Sequence, residues 1–121
     1  MTATPSEAPR QLDVAAVPTQ VARWVAEGFE PVLLDVREPW EVATARLALP
    51  GTRAVDVPMM SVPGALAALP ADQPILALCH HGMRSLQVVA FLLQQGYPHT
   101  YNIAGGIDAW SARVDPGVPR Y

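Results

Sequence analysis

A mostly parallel α/β domain, its sheet covered by helices on both faces, is the fold this sequence predicts. Three observations carry it. Short apolar runs such as Val32-Leu33-Leu34 and Ile75-Leu76-Ala77-Leu78 alternate with segments of helical periodicity, glycine or proline punctuates most junctions, and polar residues gather just after the runs. A strand buried on both faces needs a continuous apolar run, and a helix is the usual connection between parallel neighbours. With 121 residues, half of them apolar, the chain is one domain by length, able to bury a core without disulfides or metal.

The elements follow in order. Residues 1–11 mix Pro, Ser, Thr and Ala without periodicity and read as a flexible leader, leaving 12–121 as the folded domain. A first helix starts at Pro18, carries Val21, Trp24 and Val25 as its apolar stripe, and stops at Gly28. Val32 to Val36 is a short buried strand. Glu38 to Leu47 has acids and a proline in its first turn and apolar Trp40, Val42, Ala43 and Leu47, the pattern of a second helix. After a turn at Leu49-Pro50-Gly51, Arg53 to Val57 reads as a strand ended by Pro58. Gly64 to Leu69 then reads as a short helix with Leu66 and Leu69 facing inward. Ile75 to Leu78 is the central strand, and Ser85 to Gln95 is a helix stopped by Gly96-Tyr97-Pro98. Thr100 to Ile103 is the last strand, and Ile107 to Arg113 the final helix behind Gly105-Gly106. Trp24, Trp40 and Trp110 are core or rim aromatics.

Composition excludes several function classes. The one cysteine cannot form an intramolecular disulfide or supply a zinc pattern with two thiolates, and the reducing cytoplasm is its expected compartment. All eight basic residues are arginines without a basic stripe, so nucleic acid is not an expected partner. Without lysine there is no Schiff-base chemistry and no Walker-type phosphate loop. Neither a signal peptide nor a membrane-spanning stretch is expected.

Cys79 is the candidate nucleophile. It stands where the central strand breaks into His80-His81-Gly82-Met83-Arg84-Ser85, at the carboxyl end of a strand, where α/β sheets collect their reactive groups. The amides that open the following helix and a curled loop would favour a thiolate there. Arg84, with four residues between it and Cys79, adds a permanent charge suited to an oxyanion. Gly82 supplies backbone freedom, Met83 lines the rim, and His80 and His81 tune or gate the loop, since consecutive side chains cannot both enter a small nest. Ser85 either bonds toward the loop or caps the helix. Asp35 and Arg37 form either a brace for the loop or a plain surface pair. With no second cysteine, Cys79 has no internal resolving thiol, so any group it takes on covalently must leave to an outside acceptor.

The segment Cys79 to Ser85 resembles the active-site loop of rhodanese-like sulfurtransferases. Leu34-Asp35-Val36-Arg37-Glu38-Pro39-Trp40-Glu41, Val57-Pro58-Met59 and Asn102 to Trp110 resemble further segments of that family in the same order, so the resemblance covers about residues 12–113. It implies a three-layer fold with a five-stranded, mostly parallel sheet, and a sulfane sulfur moved from thiosulfate or a persulfide, through a Cys79 persulfide, to cyanide or another thiophilic acceptor. It implies His80, His81, Gly82, Met83 and Arg84 as the substrate-binding loop. No cofactor or metal is implied; the partners are a small sulfur donor and acceptor, or an acceptor protein, and the expected state is a monomer. One departure is that Arg46 to Thr52 lacks the histidine the family often carries there. The alternatives are a non-catalytic rhodanese-like binding module and, behind it, a cysteine-dependent phosphatase or arsenate reductase. Loops of that last class carry five residues between cysteine and arginine, where this chain has four.

Overall fold

The computed structural model describes residues 10–121. Strands β1 (Gln11–Asp13), β2 (Val32–Asp35), β3 (Arg53–Asp56), β4 (Ile75–Leu78) and β5 (Thr100–Ala104) form one sheet in the order β1-β5-β4-β2-β3. Every neighbouring pair is parallel. The helices are α1 (Val17–Ala26), α2 (Pro39–Thr44), α3 (Met83–Gln94) and α4 (Gly106–Arg113), with 3-10 segments at Val14–Ala16 and Met59–Ala68.

Alternation along the strands splits the core into two layers. Leu33, Leu76, Leu78 and Ile103 face one side, where they meet Val17, Val21 and Trp24 of α1 and Ile107 and Trp110 of α4. Val32, Leu34 and Ile75 face the other, against Val62 of the 3-10 segment and Val88 and Leu92 of α3. All residues of β2 and β4 are buried, the apolar ones as a sheet covered on both faces requires and Asp35 in its pair with Arg37.

The expected three-layer, five-stranded fold is present, with local differences. Most of the expected leader lies outside the described residues, but its last residue, Gln11, opens β1 and pairs with Asn102. A three-residue edge strand has too few positions to show alternation. The second helix ends at Thr44 rather than Leu47, because Ala45 turns extended (φ -154°, ψ 121°) and Ala45, Leu47 and Leu49 then reach the core at every second position. In α1 the buried stripe is Val17, Val21 and Trp24, while Val25 is exposed. The segment before Leu69 is a 3-10 run that begins at Met59 and contains Pro63. Trp24 and Trp110 are core residues, and Trp40 stands exposed at the rim.

Candidate active site

β4 delivers Cys79 to the carboxyl end of the sheet, and the chain then has only three residues before α3 begins at Met83. Gly82 turns that corner with φ +99°, a conformation that glycine adopts without steric cost. The opposite wall is the start of α4. Its amides at Ile107 and Asp108 donate to the carbonyls of Cys79 and His80 at 2.9 and 3.0 Å, satisfying donors that a helix N-terminus leaves free. In a trans peptide the N–H points opposite to the C=O, so the amides of His80 and His81 face away from α4. Gly106 makes this contact possible: a Cβ there would lie 2.4 Å from both carbonyl oxygens.

Cys79 is 1% exposed and free of any disulfide. The Gly82 amide donates to Sγ at 3.0 Å, and the Ser85 hydroxyl lies 3.2 Å away. Ser85 also reaches Asn102 Oδ1 at 2.5 Å, while Asn102 Nδ2 donates to the Gly82 carbonyl at 3.1 Å and to Gln11 Oε1 at 2.8 Å. A polar ladder thus runs from β1 through β5 to Cys79. Ser85 belongs to it and is not the helix cap, a position Gly82 holds.

Arg84 does not stand at the rim as a free cation. Its NH1 and NH2 donate to Glu41 Oε1 and Oε2 at 2.7 and 2.8 Å, and Glu41 is only 3% exposed. These bonds hold the Glu41 carboxyl down to about 2, the Arg84 bonds being the largest cause, and raise Arg84 in turn. Cys79 adds a smaller upward push on Arg84, so the pair lies within electrostatic reach of the sulfur. Glu41 Oε2 accepts a further bond from the Tyr121 hydroxyl at 2.9 Å, which itself accepts from Arg37 NH1 at 3.1 Å. Arg37 and Asp35 form a buried two-point pair at 2.7 and 2.9 Å, which makes them a brace rather than a surface pair. Burial opposes the charge on Arg37, yet its bonds to Asp35 and Tyr121 outweigh that and raise its pKa.

The two histidines take the outer side of the loop. The His80 ring lies between those of His81 and Tyr121, each at 3.9 Å between centroids. Burial, then the neighbouring His81, lowers the His80 pKa, so the imidazole is neutral near pH 7. His80, His81 and Asp108 each bring a ligand-type atom within 4.8 Å of the others, but the Asp108 carboxylate already accepts two bonds from Arg120 and the histidine rings are stacked. Met83 is exposed at the rim. Sequence reasoning missed Glu41, Asn102 and Tyr121 as site residues. Glu41 could have been found as the only carboxylate of the 34–41 segment one helical turn into α2, whereas no local signal marks Tyr121.

The arrangement is a shielded cysteine sulfur with one amide and one hydroxyl directed at it and with Arg37, Arg84 and Arg120 each paired to a carboxylate. Known proteins agree with this geometry. The family model described as Rhodanese-like domain matches residues 17–113. A protein named Sulfurtransferase from Allochromatium vinosum is 34% identical over 94 residues, covering 78% of this chain and 84% of its own. The Rhodanese-like/PpiC domain-containing protein 12, chloroplastic, of Arabidopsis thaliana is 39% identical over 94 residues, 76% of this chain but only 31% of that protein. The solved structure of the single-domain sulfurtransferase RDL2 of Saccharomyces cerevisiae superposes with TM-score 0.68 at 26% identity, covering 98% of both chains. Sheet order, loop and matches together establish that this chain belongs to the rhodanese-like family, whose sulfurtransferase members it resembles over nearly its whole length.

Proposed function

We propose that this protein is a sulfurtransferase that takes a sulfane sulfur from thiosulfate or a persulfide onto Cys79 and passes it to cyanide or another thiophilic acceptor. The observation that carries the reading is the placement of a solitary cysteine under the Gly82 amide and the Ser85 hydroxyl, at 3.0 and 3.2 Å. Both groups stabilise an anionic sulfur, whether thiolate or persulfide.

In the first step the Cys79 thiolate attacks the outer sulfur of thiosulfate, the donor S–S bond breaks, and sulfite leaves with the electron pair. In the second, cyanide attacks the terminal sulfur of the Cys79 persulfide, thiocyanate leaves, and the thiolate is restored. His80, His81, Gly82, Met83 and Arg84 form the binding loop. Two of the five guanidinium N–H groups of Arg84 are spent on Glu41, so Arg84 keeps N–H groups for hydrogen bonding while its charge is offset by the carboxylate. Because the chain has one cysteine, discharge goes to an outside molecule, a small acceptor or an acceptor protein. We place this activity in a cytoplasmic monomer; no helix among the described residues is long and apolar enough to cross a membrane.

Intact mass spectrometry tests the reading. Incubation with thiosulfate or a persulfide adds one sulfur atom to the wild-type chain, cyanide removes it as thiocyanate, and Cys79→Ser does neither. Hydrolysis of a phenyl phosphate without sulfur loading would replace this reading with a phosphatase. The absence of both activities would leave a binding module.

A further inference from the structure

Electrostatics at the loop narrows the donor class. Of the eight arginines, Arg37, Arg46, Arg84, Arg113 and Arg120 each hold a carboxylate, and lysine is absent. Arg37, Arg84 and Arg120 are the cations associated with the catalytic loop, through Asp35, Glu41 and Asp108. The remaining three lie at the far end of the sheet. Arg10 precedes β1 and Arg53 opens β3, at the amino ends of parallel strands, and Arg23 is in the last turn of α1, just before the chain enters β2. Once these pairs are counted, no arginine near the loop is left without a carboxylate partner.

A doubly charged donor therefore approaches a negative nucleophile without a free cation to receive it. The rim is instead aromatic and apolar. Trp40 and Met83 are 64% and 67% exposed, His80 is neutral, and Tyr121 stacks on it. Such a wall suits the organic stem of a thiol persulfide, R–S–SH.

Resting on the sulfurtransferase reading above, we infer that Glu41 is a specificity-determining residue: by pairing with Arg84 it withdraws the loop's cation from dianionic donors and makes thiol persulfides the preferred sulfur source. The transfer is balanced. The Cys79 thiolate attacks the outer sulfur of R–S–SH, the S–S bond breaks, R–S⁻ leaves with the electron pair, and Cys79–S–SH then releases its proton to solvent as the persulfide anion forms.

Glu41→Gln tests this cleanly. With its amide oxygen glutamine keeps the capping box of α2, in which the residue-41 side chain accepts from the Glu38 amide, while the charge is lost and the oxygen that accepts from Arg84 and Tyr121 becomes an NH2 donor. Sulfur loading of Cys79 is measured with thiosulfate and with cysteine persulfide. The wild type prefers cysteine persulfide in kcat/KM by about tenfold or more, and Glu41→Gln shifts the thiosulfate-to-persulfide ratio toward thiosulfate by about tenfold, mainly through KM and more strongly at low salt. The double variant Glu41→Gln/Arg84→Gln restores neutrality and loses the gain, which shows that it runs through Arg84. Equal use of both donors by the wild type, or an unchanged ratio in a folded Glu41→Gln, overturns the inference and leaves sulfur transfer standing. Loading by neither donor overturns the sulfurtransferase reading itself.

Discussion

Ser85 owns one hydroxyl hydrogen and has two acceptors within reach, Asn102 Oδ1 and Cys79 Sγ. Asn102 is locked by its two amide donations to Gln11 and Gly82, so its oxygen is fixed toward Ser85. While Cys79 is a thiol, the Ser85 hydrogen stays on Asn102 and the thiol can donate to Oγ. Once the sulfur is anionic, the hydroxyl can rotate to it at no cost in packing. A hydrogen bond to a charged group contributes about 1.5–3 kcal/mol. Ser85→Ala should thus slow sulfur loading about 10- to 100-fold. Ser85→Thr, which keeps the hydroxyl, should retain most of the rate in a stopped-flow assay. Cys79 and its loop were legible in the sequence because a polar turn after a buried strand is a local pattern. Asn102, twenty-three residues downstream of Cys79, was legible only as part of a family signature.

At the scale of elements, the loop after Cys79 is held from outside as much as by its own turn. The start of α4 docks its amides on the Cys79 and His80 carbonyls, and this needs Gly106. Gly106→Ala would drive a Cβ into two backbone oxygens, which cannot rotate aside as a side chain would. The expected loss is about 2–4 kcal/mol in urea unfolding, together with loss of sulfur loading. Gly28→Ala is the control. It too sits at positive φ, +92°, but its added Cβ meets nothing within 4 Å, so only backbone strain of about 1–2 kcal/mol remains. Helix α2 has a comparable double role, since Glu41 closes its capping box and also ties down Arg84. The sequence marks such an acid as a helix-start signal, and only packing reveals that the same carboxylate reaches across to α3.

For the whole molecule, the titrating groups with lowered pKa all act in one direction. A His whose folded pKa lies below its unfolded value contributes stability that is complete above about 6.5 and falls as pH drops through the folded value. His80 and His99 are both of this kind, through burial first and then through His81 and Arg10 respectively. Glu41, held down to about 2 by Arg84, contributes stability present above its ordinary 4.5 and lost as pH falls from there toward 2. Denaturant midpoints should be flat above neutrality, decline modestly below pH 6.5, and decline more steeply below 4.5. Glu41→Gln should remove at most about 3 kcal/mol of the steep phase. A profile that rises on acidification would contradict these assignments.

The sequence by itself determined the layer architecture, the four longer strands and the place of Cys79 at the end of the central strand, because each depends on neighbours within a few residues: an apolar run, a helical stripe, a polar turn. It also determined that Cys79 has no second cysteine in the chain to pair with. Tertiary structure alone decided that Arg84 is spoken for by Glu41, that Tyr121 packs against His80, and that Gln11 completes both the sheet and the Asn102 ladder. These contacts span 41 to 91 residues of chain. Charge compensation is a property of distance in space, and no local pattern in a sequence encodes which distant carboxylate will meet a given arginine.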